Sequence, residues 1–276
     1  MEENRLMEDV AKALENVRAQ CPLIHNITNY VTVNDVANIV LAVGASPIMA
    51  DDIAEAGDIA SIAGALVLNI GTLNARTVES MVEAGKRANQ AGVPVVLDPV
   101  GAGASALRNE TTERLLKEVK LTVLRGNLSE ISFIAGEQSN TKGVDAGEAD
   151  ADNDAVAIAK KVAKQLGCVV GITGQVDVVS DGTRVAKIEN GVKLLGKVTG
   201  TGCMTSALVG SYCGANRDAF TATVAGIATM GMAGEISYEA QADRGTGSFH
   251  IGIIDAVSRM DGETVKVWAK LHEVER

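Results

Sequence analysis

Residues 65–98, ALVLNIGTLNARTVESMVEAGKRANQAGVPVVLD, join two short apolar runs through a helical stretch. The runs at 65–70 and 93–98 have the length of buried strands, and residues 77–91 are typical of a helix. A strand, a helix and a second strand in this order predict a right-handed crossover between parallel strands. This stretch therefore predicts a parallel sheet covered by helices.

The same alternation continues on both sides of this stretch. Residues 5–19 carry an apolar stripe with helical spacing, and Cys21-Pro22 is expected to end that helix. Three further apolar runs have strand length, at 46–49, 121–124 and 168–172, and a further helical stretch covers 152–166. The fold class predicted is α/β, with a mostly parallel central sheet and helices on both faces.

After residue 172 the pattern indicates antiparallel pairing. Residues 176–180 and 183–189 flank Asp181-Gly182, which predicts a hairpin, and residues 192–198 (VKLLGKV) are predicted to form a third antiparallel strand. Beyond Cys203 small residues dominate, and the chain is expected to be almost wholly helical. The acidic stretch 145–154 is predicted to be a solvated loop that leads into a helix.

Composition excludes several classes of protein. The chain has 276 residues, of which 46% are hydrophobic and only 3% aromatic, so one domain spanning 1–276 with an aliphatic core is expected. The formal net charge of −10 disfavours nucleic acid as a partner. Polar residues interrupt every apolar run before it could span a membrane. The four cysteines form no C-x-x-C pair and the charged N-terminus is unlike a signal peptide, so free thiols in the cytoplasm are expected.

Polar residues follow the predicted strands at the edge where α/β proteins bind ligands. Asp98 ends a strand directly before a glycine-rich loop, a position that core packing explains poorly. Together with Glu130 it is a candidate for holding Mg²⁺, an ion that binds few carboxylates and keeps much of its water. For Glu130 the alternative is a charge in the first turn of a helix that Asn127 caps.

Three segments indicate binding of a polyphosphate. Gly200-Thr201-Gly202, before a predicted helix, would direct several backbone amides at one point, although a plain glycine turn explains the same letters. Arg125 follows an apolar run and is a candidate for gripping phosphate oxygens, with a structural ion pair as the alternative. Thr173-Gly174 is a candidate for contacting the nucleotide, with an ordinary turn as the alternative. This set of residues favours phosphoryl transfer.

Cys203 lies in the first turn of the helix after the glycines. There the helix dipole is expected to lower the pKa of the thiol, so that Cys203 either accepts a proton from a substrate alcohol or packs beside the reacting atoms. A buried structural thiol is the alternative, and it is the interpretation for Cys168 and Cys213. The polar segment around His25 is unlike a core strand, and His25 with Met49 is a candidate pocket for a small heteroaromatic ring. His250 and His272 are placed in helices and given no role.

Taken together, the motifs resemble the hydroxyethylthiazole kinase family, which belongs to the ribokinase-like superfamily. The resemblance runs in order from about residue 22 to about residue 255. It rests on these segments: PLIHNITNYVT, NDVANIVLAVGASPIMA, GALVLNIGTL, VPVVLDPVGAGAS, RGNLSEI, KGVDAG, ITGQVDVVSDG, KVTGTGCM and GSFHIGIID.

This resemblance implies a three-layer α/β/α kinase and a specific reaction. The γ-phosphate of ATP would pass, with Mg²⁺, to the hydroxyethyl group of 4-methyl-5-(2-hydroxyethyl)thiazole in thiamine salvage. It also implies a homotrimer with active sites at the subunit contacts. The positions that match the family's motifs are Asn29, Met49 and Gly200 for the thiazole, Arg125, Thr173 and Gly202 for ATP, Asp98 and Glu130 near the metal, and Cys203 as the catalytic residue. The thiol is then a family feature, and we expect it to act mainly by positioning the reactants.

Three rival functions share part of this pattern. A hydroxymethylpyrimidine kinase or a nucleotide-dependent hydrate dehydratase would share the fold and the glycine turn, but fold alone does not fix function. The HNITN and GASPIMA segments with Cys203 favour the thiazole kinase. A nucleotide sensor without catalysis is the third rival, and the presence of Asp98, Arg125 and Glu130 argues against it.

Overall fold

The computed structural model describes residues 2–137 and 148–275. Nine strands are formed there, β1 Leu23–Ile27, β2 Ser46–Ile48, β3 Ala65–Asn69, β4 Val95–Asp98, β5 Val123–Asn127, β6 Val169–Thr173, β7 Asp177–Ser180, β8 Val185–Ile188 and β9 Leu271–Glu275. The helices in the same residues are α1 Glu2–Gln20, α2 Val33–Val43, α3 Ile53–Ile62, α4 Ala75–Ala91, α5 Ala106–Glu118, α6 Leu128–Ile134, α7 Glu148–Leu166, α8 Thr201–Ala215, α9 Ala219–Gln241, α10 Thr246–Arg259 and α11 Gly262–Trp268.

All the described strands form one sheet in the order β2-β1-β3-β4-β5-β6-β7-β8-β9. Pairing is parallel from β2 to β6 and antiparallel from β6 to β9. The strand–helix–strand stretch at 65–98 forms β3, α4 and β4, and β3 and β4 are parallel neighbours. The predicted α/β class with a mostly parallel sheet is confirmed.

The sheet separates two hydrophobic cores. Val67 and Val96 face a core that includes residues of α1, α2, α8, α9 and α10, whereas Leu66 and Leu97 face a second core with α4, α5 and α7. Successive residues of a strand point to opposite faces, so a strand covered on both sides is apolar throughout. Aliphatic runs such as ALVLN are therefore continuous rather than alternating, and the molecule has three layers.

The segment around His25 is a correction. We expected it to be unlike a core strand, but β1 lies between β2 and β3 and is nearly wholly buried. Its polar side chains are accommodated by hydrogen bonds to the backbone, from Asn26 Nδ2 to Ile24 O at 3.0 Å and between His25 Nε2 and Ala50 O at 2.7 Å. Local composition failed here because these bonds offset part of the cost of burying the polar groups, although His25 Nδ1 and Asn26 Oδ1 have no partner among the described residues.

The third antiparallel strand is a second correction. Residues Lys193–Lys197 form a 3₁₀ helix, and β9 at the end of the chain pairs with β8 instead. Gly191 has a φ of 134°, and its amide donates to the buried Glu235 carboxylate at 2.8 Å. This turn directs the chain away from the sheet edge. His272 consequently lies in a strand, not in a helix, while His250 is helical as expected.

Two further expectations concern α9 and the acidic stretch. Helix α9 is long and apolar enough to cross a membrane by length and composition, but 83% of its apolar window is buried inside the protein, as in the core helix of a globular domain. The acidic stretch at 145–154 was predicted to be a loop before a helix. Helix α7 already begins at Glu148, and residues 145–147 lie outside the described residues, as does the KGVDAG segment.

Candidate active site

The carboxyl ends of β3 to β6 bring the predicted polar residues to one edge of the sheet. Asn69, the last residue of β3, pairs in register with Asp98, the last residue of β4. Asn127 at the end of β5 pairs with Thr173 at the end of β6. Parallel pairing aligns these ends, so side chains that are far apart in sequence share one site.

Asp98 is a buried carboxylate surrounded by donors. Its Oδ2 accepts from Asn69 Nδ2 at 2.8 Å and from Ser206 Oγ at 2.7 Å, and Arg125 Nη1 lies 3.5 Å away. Burial raises the pKa of Asp98 to about 6, although Arg125 and the two hydrogen bonds favour the ionised form. Asp98 is thus held rigidly at the point where its strand ends.

Arg125 joins the residues predicted to bind ATP. The sequence suggested that Arg125 follows a strand, but the residue lies inside β5. Its Nη2 donates to Thr173 Oγ1 at 2.6 Å and its Nη1 donates to Gly202 O at 3.1 Å. Its Nε is buried and has no hydrogen-bond partner among the described residues. A buried guanidinium with an unused donor is suited to an arriving anion.

These three residues line one cavity of about 890 Å³ beside the amino terminus of α8. Its other walls come from the loop after β6, the segment after β8 and the apolar side chains of α9. The volume is within the range of sites for small organic ligands. The cavity is large enough for a nucleotide, and Arg125 is the buried cation in its wall.

The glycine turn has a left-handed backbone conformation that glycine adopts readily and other residues do not. Gly200 has a φ of 89°, and a Cβ there would come within 2.9 Å of Thr32 Cγ2. Helix α8 begins at the next residue, and the first amides of a helix have no partner within it. The predicted anion cradle is therefore compatible with the backbone, while Gly202 stays a predicted ATP contact.

Cys203 differs from expectation in its ionisation. The thiol is buried, and Asn69 Nδ2 donates to Sγ at 3.4 Å. Burial raises the pKa of Cys203 and the Asp98 charge raises it further, against hydrogen bonds from Thr32 and Asn69. The prediction that the helix terminus lowers this pKa is wrong, because desolvation outweighs the dipole.

Glu130 has its carboxylate oxygens engaged by the backbone. Oε1 accepts from Gly101 N at 2.8 Å and Oε2 accepts from Asn127 N at 2.8 Å. Asn127 Oδ1 in turn accepts from Glu130 N at 2.9 Å, which completes a capping box at the start of α6. Glu130 thus acts as a capping residue in the first turn of α6, which was the alternative considered for it. Its role as a metal ligand stays a prediction.

The side chains at this edge decide whether Mg²⁺ could bind there. Within 2–137 and 148–275 there is no cluster of three or more His, Cys, Asp or Glu that would hold a metal by itself. Mg²⁺ commonly binds through one or two carboxylates together with substrate phosphates and water. Asp98, 3.5 Å from Arg125 of the cavity, supplies one carboxylate of the kind such a site uses.

The residues predicted for the thiazole lie at the neighbouring strand ends. Asn29 follows β1, and its Nδ2 lies 2.5 Å from the position of a Cβ on Gly71, in the loop after β3. Met49 follows β2 and is half-buried against the core. His25 lies fully inside, where burial lowers its pKa and Nε2 bonds to the backbone, which is the structural role.

Three polar residues of the site were given no role from the sequence. Asn69 connects Asp98 to Cys203, and Ser206 lies one turn after Cys203 on the same face of α8. Asp177 begins β7, and burial raises its pKa to about 7. The position of Asn69 at a strand end was a usable signal, whereas Ser206 and Asp177 become neighbours of the site only through the fold.

Comparison with known proteins agrees with this architecture. A ribokinase-like superfamily protein from Enterococcus faecalis V583 matches 95% of this chain and 85% of its own, with a TM-score of 0.61 and 8% identity, a likeness of fold alone. The hydroxyethylthiazole kinase structure from Pyrococcus horikoshii OT3 matches with a TM-score of 0.88 and 40% identity, over 96% of this chain and 99% of that one. The protein therefore has the three-layer fold of the ribokinase-like kinases.

The family follows from sequence. The profile of the hydroxyethylthiazole kinase family matches residues 14–263. A hydroxyethylthiazole kinase from Ruminiclostridium cellulolyticum is 62% identical over 268 residues, which are 97% of this chain and 98% of that protein. The chain belongs to the hydroxyethylthiazole kinase family and is an enzyme.

Proposed function

We propose that this enzyme transfers the γ-phosphoryl group of ATP to the hydroxyethyl group of 4-methyl-5-(2-hydroxyethyl)thiazole, a step of thiamine salvage. The observation that carries the proposal is the position of Arg125, which connects the nucleotide cavity to Asp98 at 3.5 Å and to the α8 corner at 3.1 Å. The Arg125 guanidinium thus adjoins both the cavity proposed for the phosphates and the start of α8, where the acceptor alcohol is proposed to bind. Family membership makes the thiazole the favoured acceptor.

The nucleotide would bind through Arg125, Thr173 and Gly202. Arg125 has an unused buried donor, and it already orients the Thr173 hydroxyl through its own Nη2. The first amides of α8 add donors near the migrating phosphoryl group. Phosphoryl transfer depends mainly on alignment and on neutralising charge, so fixed donors of this kind supply much of the acceleration.

Asp98 would hold Mg²⁺, with Glu130 acting nearby. When bound, Mg²⁺ neutralises phosphate charge and orients the transferring group. Asp98 is fixed for this role by Asn69 and Ser206. Glu130 holds Gly101 in the loop after Asp98, so it supports the site through the backbone even apart from any contact with the metal.

Cys203 would lie beside the acceptor alcohol as a neutral thiol. Its raised pKa keeps the sulfur protonated at neutral pH, so it is not available as a base, and Asn69 connects it to the Asp98 carboxylate. The thiol would position the alcohol against the phosphoryl group. Such a role suits a loose transition state, in which the acceptor gives up its proton late.

The acceptor would bind among Asn29, Met49 and Gly200, at a contact between subunits of a homotrimer. Exposed apolar side chains border this region, with Tyr30 75% and Val31 58% exposed directly after Asn29. Apolar surface next to a binding site favours a protein contact. We also propose a cytoplasmic location, which agrees with four free cysteines.

The test is to incubate the pure protein with ATP, Mg²⁺ and a panel of alcohols, and to follow ADP release together with the mass of the phosphorylated product. The panel contains the thiazole alcohol and hydroxymethylpyrimidine, and one sample contains no alcohol. We expect phosphorylation of the thiazole alone. Phosphorylation of the pyrimidine instead would assign a different kinase, and nucleotide binding without any product would indicate a sensor.

A further inference from the structure

Asp177 is an acidic residue inside the cavity proposed for the nucleotide. It begins β7, its side chain is among the buried polar groups at 8% exposure, and it lines the same cavity as Arg125 and Thr173. Carboxylates are uncommon in such a position because they repel phosphate. Its presence therefore calls for a structural or chemical reason.

The structural reason is the loop between β6 and β7. Asp177 Oδ1 accepts from Gly174 N at 2.9 Å, which closes a turn over residues 174–177, directly after Thr173. Thr173, just before this turn, presents its hydroxyl to Arg125. Asp177 thereby fixes the backbone of a segment predicted to contact ATP.

The charges around Asp177 come from several elements. Arg125 of β5 attracts it but lies against Asp98, so one cation serves two buried acids. The segment after β8 adds Glu189 and Lys193 to the same cavity wall. Burial raises the pKa of Asp177 to about 7, with the Gly174 amide and Arg125 acting in the opposite direction.

We propose that Asp177 is a positioning residue for the nucleotide: it anchors the Thr173-Gly174 turn, and it takes up a proton when the phosphates enter the cavity. The proposal rests on the proposed function, because it requires a nucleotide in this cavity. A bound polyphosphate is a like charge near the carboxylate, and like charges favour the protonated acid. A protonated Asp177 can still accept the hydrogen bond from Gly174 N through Oδ1, so the turn is kept.

The direction of the pH effect follows by linkage. When nucleotide binding raises the pKa of a group, the protein takes up a proton on binding. The affinity for the nucleotide then falls as pH rises from the pKa of the free protein through the pKa of the complex. Nucleotide affinity should therefore decline above pH 7 in the native enzyme. In Asp177→Asn the amide keeps an acceptor for Gly174 N and carries no charge, so this part of the decline should vanish. In Asp177→Ala the turn loses its anchor.

The experiment is calorimetric titration of ADP with Mg²⁺ into the full-length enzyme at pH 8, in two buffers with different ionisation enthalpies. At this pH the phosphates of ADP are fully ionised, so proton uptake reports on the protein. We expect uptake of roughly half a proton per ADP in the native enzyme and clearly less in Asp177→Asn. We expect Asp177→Ala to bind ADP up to about tenfold more weakly than Asp177→Asn, the effect of losing one hydrogen bond between neutral groups.

The outcomes separate this inference from the proposed function. Equal proton uptake by the native enzyme and Asp177→Asn overturns the inference, while phosphorylation of the thiazole by the native enzyme leaves the function standing. Equal ADP affinity of the Ala and Asn variants overturns the anchoring role. Failure of the native enzyme to bind ADP overturns both. Should Asp177→Ala not fold, Asp177→Asn alone decides through proton uptake, with Asp181→Asn, at the hairpin turn away from this cavity, as the matched control.

Discussion

Cys203 shows how burial and a helix terminus compete at one residue. The thiol lies in the first turn of α8, where the dipole favours a thiolate, but it is buried between Thr32, Asn69 and Asp98. The nearby acid adds repulsion to the cost of desolvation. At neutral pH the site therefore holds a neutral thiol, and the contribution to catalysis that we propose for it is positional.

A substitution at Cys203 measures that contribution. Cys203→Ala should lower kcat by about tenfold, less than the 10²- to 10⁴-fold typical of a lost general base, because a neutral thiol takes little part in proton transfer. KM for ATP should stay nearly constant, since the residues proposed to bind the nucleotide lie around Arg125. Steady-state kinetics against both substrates test this. Full activity of the variant would remove Cys203 from the mechanism, and Cys213→Ala on the same helix is the control.

Asp98 is expected to need its negative charge. With a pKa of about 6 in the free enzyme, the ionised form grows as pH rises through 6, so kcat/KM should rise across that range. Asp98→Asn should lower turnover by at least about a hundredfold and raise the Mg²⁺ concentration needed for half activity, because Arg125 loses its partner and the ion loses a ligand. The measurement is a Mg²⁺ titration of activity, and an unchanged titration would rule out the metal role.

At the level of elements, α8 and α9 pack so closely at Gly226 that a side chain has no room there. A Cβ on Gly226 would lie 2.6 Å from Val209 N and 2.7 Å from Val209 Cα, so the clash is with backbone. This contact explains the glycine at 226, while Gly210 of α8 is required by the approach of that helix to Val67 of β3. Since α8 begins at the glycine turn, its packing on α9 also sets the position of the phosphate cradle.

Gly226→Ala tests this packing. It should lower the free energy of unfolding by about 2 kcal/mol or more, since backbone has to move to admit the methyl group. Gly247→Ala in α10 is the matched control, because nothing lies within 4 Å of a Cβ there, and alanine should be neutral or slightly stabilising. Urea unfolding of both variants gives the comparison. Equal stability of the two would contradict the account.

The sequence predicts those elements whose pattern is local. The crossover from β3 to β4 follows from its apolar runs and the helix between them, and the alignment of Asn69, Asp98 and Thr173 follows from parallel pairing. Strand β1 was missed because His25 and Asn26 are buried by means of backbone partners that the sequence does not reveal. Strand β9 was missed because its partner is some 80 residues earlier in the chain.

The site follows the same division. Thr173 and Gly202 could be identified from the sequence because they lie at a strand end and a helix start, and Arg125 because it directly follows an apolar run. The structure joins the three by direct hydrogen bonds. The pKa of Cys203 could not be predicted, because it depends on how deeply the thiol is buried, which only the packed structure gives. Ser206 and Asp177 required the fold for the same reason.

At the level of the whole molecule, apolar surface remains uncovered around the predicted acceptor site. Tyr30 and Val31 precede α2, Leu41 lies on α2, and Ile251 lies on α10, which packs against α2; each is at least 58% exposed. A second subunit over this region would bury these side chains and enclose the thiazole pocket near Asn29. The single chain alone leaves that side of the pocket to solvent.

The last prediction therefore links assembly to acceptor binding. Ile251→Glu should dissociate the proposed trimer, because a charge in an apolar contact is left without a partner. KM for the thiazole should then rise by about tenfold or more while KM for ATP changes little, since Arg125 and its cavity lie within one chain. Light scattering gives the mass of the assembly and kinetics give the two KM values. Val267→Glu is the control, because Val267 is 77% exposed on α11, away from the patch, and should leave both measurements unchanged. A native enzyme that already has the mass of one chain would contradict the prediction, as would an Ile251→Glu variant that remains trimeric.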